Sequence, residues 1–226
     1  KLIGIIQETA ELVKDRFMQG FADDLWTGDG ATAANSSEGA RFTGIVSAMP
    51  VASFPGSHTY GGVPYAGNTW YQHTVVDATA GGNTWAADHY ETMLAALSGA
   101  RVYEKGKLKQ ANIGFANLAV INQLKRYAYA KNTPNVHGST NDAHFGNNGV
   151  MVDGVAIFPD ENVPAGTMFF GHSDAFKLEV ATKNLVKADW YKDQTRVGNP
   201  MIFTLEHYGV FKVCRPRLCA WITNIS

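Results

Sequence analysis

Side chains that could bind a metal ion occur together in one polar stretch of the sequence. His137, Asp142 and His144 are residue types that zinc accepts as ligands in proteins. Their spacing matches no established zinc motif, and the surrounding residues 132–149 are rich in Asn and Gly. We therefore interpret this stretch as a polar loop, and we predict no metal ion and no other cofactor.

Groups that could act as a nucleophile or a base form no complete pattern. Residues 171–174 (Gly-His-Ser-Asp) resemble the turn that carries the nucleophile of many hydrolases, but Ala175 occupies the position where that turn needs a second glycine. Glu206 and His207 lie on a predicted strand, whereas the His-Glu zinc motif requires a helix. The sequence therefore predicts a protein that is not an enzyme.

Phosphate-binding and acid–base patterns are also incomplete. The glycines at 28–30 and 61–62 lack the Lys-Ser/Thr pair of a phosphate-binding loop. The carboxylate pairs at 23–24 and 160–161 fall at a predicted helix end and in a predicted turn. Capping or solvated carboxylates are the interpretation that these positions favour.

Aromatic side chains form the remaining candidate set. A sugar-binding surface and a packing or subunit contact are the two interpretations open for Trp70, Tyr71, Trp85 and Tyr90. The stretch 27–83 that contains the first two is otherwise rich in Gly, Ser, Thr, Asn and Ala, and a structureless stretch of that length is unusual in a globular domain. Because disordered segments are poor in aromatic residues, we expect neighbouring chains to order this stretch.

The composition limits the classes of function. The chain has 226 residues, a net charge of -1 and only 17% charged residues. A nucleic-acid binder usually carries a clustered basic excess, and the nearest cluster, Lys105, Lys107 and Lys109, is predicted to be a solvated turn. Cys214 and Cys219 are predicted to be unpaired and buried. No apolar run approaches the ~20 residues that a membrane span needs.

Helical and strand periods alternate along the chain. Helices are predicted over 1–26, 84–104 and 117–131, with Trp26-Thr27-Gly28 ending the first and Asn117 capping the third. Strands and turns follow. They are predicted over 113–115, 150–152, 155–157, 167–170, 176–181 and 201–213, with Asp153-Gly154 as a hairpin turn and a bend at Arg215-Pro216-Arg217.

Three segments together resemble one family. The run from Met201 to Ile222, with its Arg215-Pro216 break, is similar to the closing strands of the major capsid proteins of tailed double-stranded DNA bacteriophages. The run 152–170, with its acidic Val-Pro-Ala-Gly turn, resembles another strand–turn–strand of that family. Tyr60-Gly-Gly-Val63 followed by Trp70 resembles a third segment.

The resemblance implies an α+β fold of the Hong Kong 97 type. It implies a long spine helix, a peripheral domain with a long β-sheet (1–28 and 155–195) and an axial domain with a central sheet flanked by helices (29–154 and 196–226). The N-terminal arm and the extended loop of the family are expected to be missing from this sequence. Because the chain begins at Lys1 inside a helix, we also expect a segment upstream of it.

The resemblance further implies a structural function. The chain would assemble into the icosahedral head that encloses double-stranded DNA, with copies of itself in pentamers and hexamers as partners. Scaffolding, portal and decoration proteins are further candidates, with no membrane and no sequence-specific DNA contact. The location would be the virion, with the host cytoplasm during assembly. The predicted subunit contact lies at Tyr60, Tyr65, Trp70 and Tyr71.

Two alternatives remain open. An encapsulin-like nanocompartment shell would share the fold and would enclose protein cargo in place of DNA. A carbohydrate-binding or hydrolytic β-rich protein would use the Trp and Tyr residues described above.

Overall fold

A computed structural model describes residues 2–28, 43–51, 58–130, 150–180, 187–192, 201–206 and 209–226. The helices are α1 (Leu2–Thr27), α2 (Ile45–Ala48), α3 (Trp85–Gly99) and α4 (Leu118–Ala130). The strands are β1 (Thr59–Tyr60), β2 (Val63–Pro64), β3 (Thr74–Asp77), β4 (Arg101–Glu104), β5 (Lys107–Gln110), β6 (Ile113–Ala116), β7 (Val150–Val152), β8 (Val155–Pro159), β9 (Met168–Gly171), β10 (Phe176–Val180), β11 (Lys187–Lys192), β12 (Met201–Glu206), β13 (Gly209–Val213) and β14 (Ala220–Thr223). In these ranges, no helix combines the length and the apolar character needed to cross a membrane.

The chain divides into two compact units, and each unit takes two stretches of the sequence. One unit comprises Lys1–Gly44 and Lys177–Lys212, and the other comprises Ile45–Phe176 and Val213–Ser226. The sequence prediction had joined 155–195 to the first helix. The structure differs for β8 and β9, which pair with β6 in the second unit. Their apolar side chains are buried in the core of that unit, which explains the difference.

Helix α1 belongs to the first unit, and its C-terminus is closed by glycines. The amide of Gly28 donates to the carbonyl of Asp24 at 3.0 Å, and the amide of Gly44 donates to the carbonyl of Gly28 at 2.7 Å. A Cβ at position 44 would lie 2.7–2.8 Å from three backbone atoms, so this close approach requires glycine. The predicted helix and its glycine stop are confirmed. In the same unit, β11 pairs antiparallel with β12.

A mixed six-stranded sheet forms the centre of the second unit, in the order β3-β14-β9-β6-β8-β7. Strand β14 runs parallel to β3 and antiparallel to β9, and β6 runs antiparallel to β9 and parallel to β8. The hairpin β7–β8 closes the far edge around Asp153-Gly154, whose φ angles are +47° and +78°. This hairpin was predicted from its sequence, and the prediction is confirmed.

The two faces of this sheet pack against different parts of the unit. Side chains alternate along a strand, so Ala220 and Ile222 join the core that α3 and α4 contribute to, while Trp221 points to the opposite face. On that opposite face the rings of Trp221 and Phe169 lie 4.8 Å apart, and both are fully buried. Helices therefore cover one face, and the other face carries buried aromatic side chains of the sheet itself.

Two of the predicted elements differ from the structure. The helix predicted over 84–104 ends at Gly99, and Arg101–Glu104 forms a strand that pairs with β5. Lys105 and Gly106 adopt φ angles of +50° and +76°, which makes a tight hairpin turn in place of another helical turn. The strand predicted over 201–213 is present as β12 and β13, which pair with β11 and β10 respectively.

Candidate functional site

The aromatic residues predicted to form a subunit contact lie together beside the β1–β2 hairpin. Tyr71 closes a 3₁₀ turn at Thr69–Tyr71, and its ring centroid lies 5.8 Å from that of Tyr65 and 5.5 Å from that of Trp70. The hydroxyl of Tyr60 accepts a hydrogen bond of 2.9 Å from the amide of Val213. The structure therefore brings the four predicted residues into one region of the second unit.

Tyr65 and Trp70 have opposite exposure. Tyr65 is fully buried and donates its hydroxyl proton to the carbonyl of Ala48 at 2.8 Å, and burial raises the pKa of Tyr65 far above its ordinary value. The side chain of Trp70 is 64% exposed, and its indole N–H donates to the side-chain oxygen of Asn68 at 3.1 Å. Tyr65 thus anchors the cluster, and Trp70 is the member that a partner can reach.

Ring donors fix the backbone segment 48–50, a feature that the sequence analysis missed. The carbonyls after α2 have left the helix and need other donors. The bonds are Tyr65 Oη and His58 Nε2 to the Ala48 carbonyl (2.8 and 3.2 Å), Trp221 Nε1 to the Met49 carbonyl (3.0 Å) and His73 Nε2 to the Pro50 carbonyl (3.0 Å). The only signal in the sequence was the density of ring donors in this stretch.

His73 is a histidine of this cluster whose pKa is shifted by burial. Its side chain is buried, and burial lowers the pKa of His73 to about 4 from an ordinary value of 6.5. It is therefore neutral near pH 7, where its Nε2 carries the proton donated to the Pro50 carbonyl. A histidine whose donor is committed to the backbone supports the loop, and nothing in this arrangement presents it to a substrate.

A network of ion pairs fixes the β4–β5 hairpin. Arg215 binds Glu104 through two hydrogen bonds of 2.5 and 3.0 Å, and Lys109 lies 3.2 Å from Glu104 and 2.6 Å from Asp174. The Lys109 ammonium and the Arg215 guanidinium hold the pKa of Glu104 below its ordinary value. The predicted solvated turn is confirmed for Lys105, which is exposed, but Lys109 is an ion-pair partner.

The Arg215-Pro216-Arg217 bend ties two other elements to β14. Pro216 begins a 3₁₀ turn that leads into β14, and the two arginines extend from either side of it. Arg215 reaches Glu104 of β4, and Arg217 donates to the carbonyl of Thr69 at 2.9 Å. The same bend therefore positions the hairpin and the turn that carries Trp70.

The candidate catalytic groups at 172–174 form a capped turn. Nδ1 of His172 accepts from the amide of Asp174 at 3.0 Å, and the side-chain amide of Asn112 donates to the hydroxyl of Ser173 at 3.3 Å. The carboxylate of Asp174 is paired with Lys109. These contacts give all three side chains structural partners, one within the turn and two from the chain segment 109–112.

The other candidate residues for metal binding, sugar binding and acid–base chemistry form no common site among the described residues. His137, Asp142, His144 and His207 lie outside the described residues, and within those residues no group of three or more His, Cys, Asp or Glu side chains could hold a metal ion. Trp85 is 1% exposed and belongs to the core under α3, so it cannot share a sugar-binding surface with Trp70. Asp160 accepts from the amide of Asn162 at 3.0 Å, as predicted for a turn.

The two cysteines have different environments. Both are free thiols. Cys219 is buried, as predicted, whereas Cys214 is exposed, contrary to the prediction. The reason is position: Cys214 lies at the bend before Pro216, and Cys219 follows the turn at the start of the buried strand β14.

Comparison with solved structures identifies the fold. A chain of the cyanophage A-1(L) capsid asymmetric unit matches 98% of this chain and 68% of its own length, with a TM-score of 0.63 and 16% sequence identity. The fold is a capsid fold. This match confirms the α+β capsid fold class predicted from the sequence.

Two further solved structures show partial similarity to the capsid fold of this chain. The SrpI encapsulin of Synechococcus elongatus PCC 7942 gives a TM-score of 0.47 at 15% identity, over 68% of this chain and 53% of the encapsulin. A prophage protein of E. coli CFT073 assigned to the capsid gives 0.42 at 10% identity, over 67% and 52%. No family model matches the chain, and no curated protein matches its sequence.

Proposed function

We propose that this chain is the shell-forming subunit of an icosahedral phage head that encloses double-stranded DNA. The observation that carries the proposal is the capsid fold over 98% of the chain. In this role the protein acts through contacts with copies of itself in pentamers and hexamers, and it has a structural function in the virion. Its assembly takes place in the host cytoplasm.

The exposed side of α1 supports a role in assembly. Leu12 is 58% exposed, Val13 is 40% exposed and Met18 is 42% exposed, although all three lie on a single helix with charged neighbours. A surface helix normally buries its apolar stripe against its own domain. An apolar stripe that is exposed in the single chain indicates a surface for a binding partner. In a shell, each subunit buries large surfaces against several neighbours, and these neighbours would cover the stripe.

The predicted contact around Trp70 is retained as part of this proposal. Trp70 supplies the exposed ring, and Tyr60, Tyr65 and Tyr71 hold the turn that presents it. Large aromatic side chains dominate the binding energy of many protein interfaces. We assign the unit built on α1 to the peripheral domain and the unit with the six-stranded sheet to the axial domain.

The net charge suits a container for DNA. A net charge of -1 leaves little of the phosphate attraction that would hold packaged DNA against a basic wall. The DNA can then be packed and released, and the proposal includes no sequence-specific contact with it.

The test is to express the full-length protein and examine it by electron microscopy and sedimentation velocity. Closed icosahedral particles built of pentamers and hexamers are the expected result. Particles made in infected cells should contain nuclease-protected double-stranded DNA, whereas protein cargo would indicate an encapsulin-like compartment. A stable monomer that binds glycans would contradict the proposal.

A further inference from the structure

The β4–β5 hairpin presents an apolar pair to solvent. Tyr103 and Leu108 are directly opposite each other in the hairpin, and they are 79% and 45% exposed. The turn beside them carries Lys105, which is exposed and has no ion-pair partner among the described residues. We call these three residues the hairpin surface.

The opposite side of the hairpin is held in place by charges. Glu104 and Lys109 alternate with Tyr103 and Leu108 along the two strands, so they lie on the other face of the hairpin. That face is tied to Arg215 and Asp174 by the hydrogen bonds described above. A hairpin fixed on one side presents its other side with little conformational entropy left to lose on binding.

The outer side of α3 has complementary chemistry. Ala87, Tyr90, Glu91, Leu94, Ala95 and Ser98 follow the helical period and are exposed or half-buried, and Tyr90 is 53% exposed. A solvated helix face usually carries several charged side chains, and α3 has no Lys or Arg. Its charged residues are Asp88 and Glu91, and Glu91 has no ion-pair partner within the described ranges. We call this surface the α3 face.

We propose that the hairpin surface of one copy docks on the α3 face of the next copy. The inference rests on the proposed function and specifies one contact within it. Tyr103 and Leu108 would cover the apolar residues around Tyr90, and Lys105 in the turn would approach Glu91. Since two different surfaces meet, the contact is head-to-tail, which is the geometry that closes copies into a ring.

The test uses charge reversal in the full-length protein. The variant Lys105→Glu and the variant Glu91→Lys should each raise the protein concentration needed for assembly by about tenfold or more, because like charges then face each other. Combining both substitutions in one chain should restore most of the loss. Assembly is measured by sedimentation velocity and electron microscopy.

Controls separate this inference from the proposed function. Lys125→Glu/Arg126→Glu reverses two charges on α4 and should change the assembly concentration less than about twofold. Tyr103→Ser/Leu108→Ser tests the apolar part of the contact without changing charge, and it should also impair assembly. Melting temperatures of the subunits verify that each variant folds.

Two results would overturn the inference while leaving the proposed function in place. One is normal assembly of the hairpin variants and of Glu91→Lys. The other is a Lys105→Glu/Glu91→Lys double variant that assembles no better than the weaker of its two parents. A wild-type protein that never assembles would instead refute the proposed function itself.

Discussion

Two tryptophans illustrate how position decides the role of a residue. Trp221 is fully buried, contacts Phe169 and donates to the Met49 carbonyl, whereas Trp70 extends from a short turn into solvent. A sequence gives both residues the same apolar surface and the same indole donor. Their environments assign one to the stability of the subunit and the other to a surface that a partner can use.

Trp70→Ala should impair assembly and leave subunit stability almost unchanged. Replacing an exposed side chain usually changes the free energy of unfolding by no more than about 0.5 kcal/mol. Replacing an aromatic residue at the centre of an interface can weaken binding by about 2 kcal/mol or more, which corresponds to roughly a 30-fold loss of affinity. Chemical denaturation and sedimentation velocity give the two quantities. Trp221→Ala is the matched control, and it should lower the free energy of unfolding by about 3–5 kcal/mol. A large loss of stability in the Trp70 variant would contradict the assignment.

The two thiols should react at very different rates. Cys214 is exposed, and burial raises the pKa of the Cys219 thiol far above its ordinary value, so Cys219 holds its proton and is also inaccessible. An aromatic disulfide reagent should titrate one thiol in the native subunit and both in denaturant. Cys214→Ser should abolish the native reaction, and two rapid native thiols would disprove the burial of Cys219.

At the scale of elements, a short stretch of backbone is held by side chains more than by secondary structure. The carbonyls of 48–50 receive four ring donors, and one of them is His73. A loop fixed in this way depends on the protonation of its donors. Its stability should therefore respond to pH more than that of a helix or strand pair.

His73 should make the subunit less stable as pH falls from about 6.5 to about 4. Its pKa in the folded state is about 4, below the unfolded value of 6.5, so the unfolded chain takes up the proton first. Above pH 6.5 the histidine is neutral in both the folded and the unfolded state, so it does not change the free energy of unfolding. Below pH 6.5 the free energy of unfolding should fall by about 1.4 kcal/mol per pH unit.

The comparison with His73→Gln isolates this contribution. All other ionisable groups are the same in the two proteins, so the difference between the two slopes belongs to position 73. Urea denaturation between pH 7 and pH 5 measures both slopes. The substitution should flatten the dependence, and equal slopes would show that His73 keeps an ordinary pKa.

At the scale of the whole molecule, the apolar surface of α1 indicates what completes the fold. Leu12 and Val13 lie on the predicted helix over 1–26, and both are exposed to water in the single chain. An assembly in which neighbours cover such residues accounts for a sequence that has ordinary apolar content and few charges.

Leu12→Gln/Val13→Gln should block assembly without unfolding the subunit. The change removes apolar area that is exposed in the single chain, so the melting temperature should shift by only a few degrees, roughly what 0.5 kcal/mol produces. Glu11→Gln/Lys14→Gln is the matched control, because both residues are exposed neighbours on the same helix. Normal shells from the Leu12/Val13 variant would show that α1 faces solvent in the assembly.

The sequence by itself determined the elements with strong local signals. Three such features are the apolar period of α1 with its glycine stop, the Asn117 cap of α4 and the Asp153-Gly154 hairpin turn. Each depends on residues close together in the sequence, so each can be predicted from the sequence alone. The order of the three family-like segments likewise predicted the capsid fold, which the comparison confirms.

The tertiary structure decided everything that depends on residues distant in sequence. Arg215 meets Glu104 and Trp221 meets Met49 only after the chain has folded, and no local pattern encodes such pairs. Strand β4 was predicted as part of the helix over 84–104, because the apolar period of α3 continues as far as Ala100. Burial was decided in the same way: a side chain is core or surface according to what packs on it, which separated Tyr65 from Trp70.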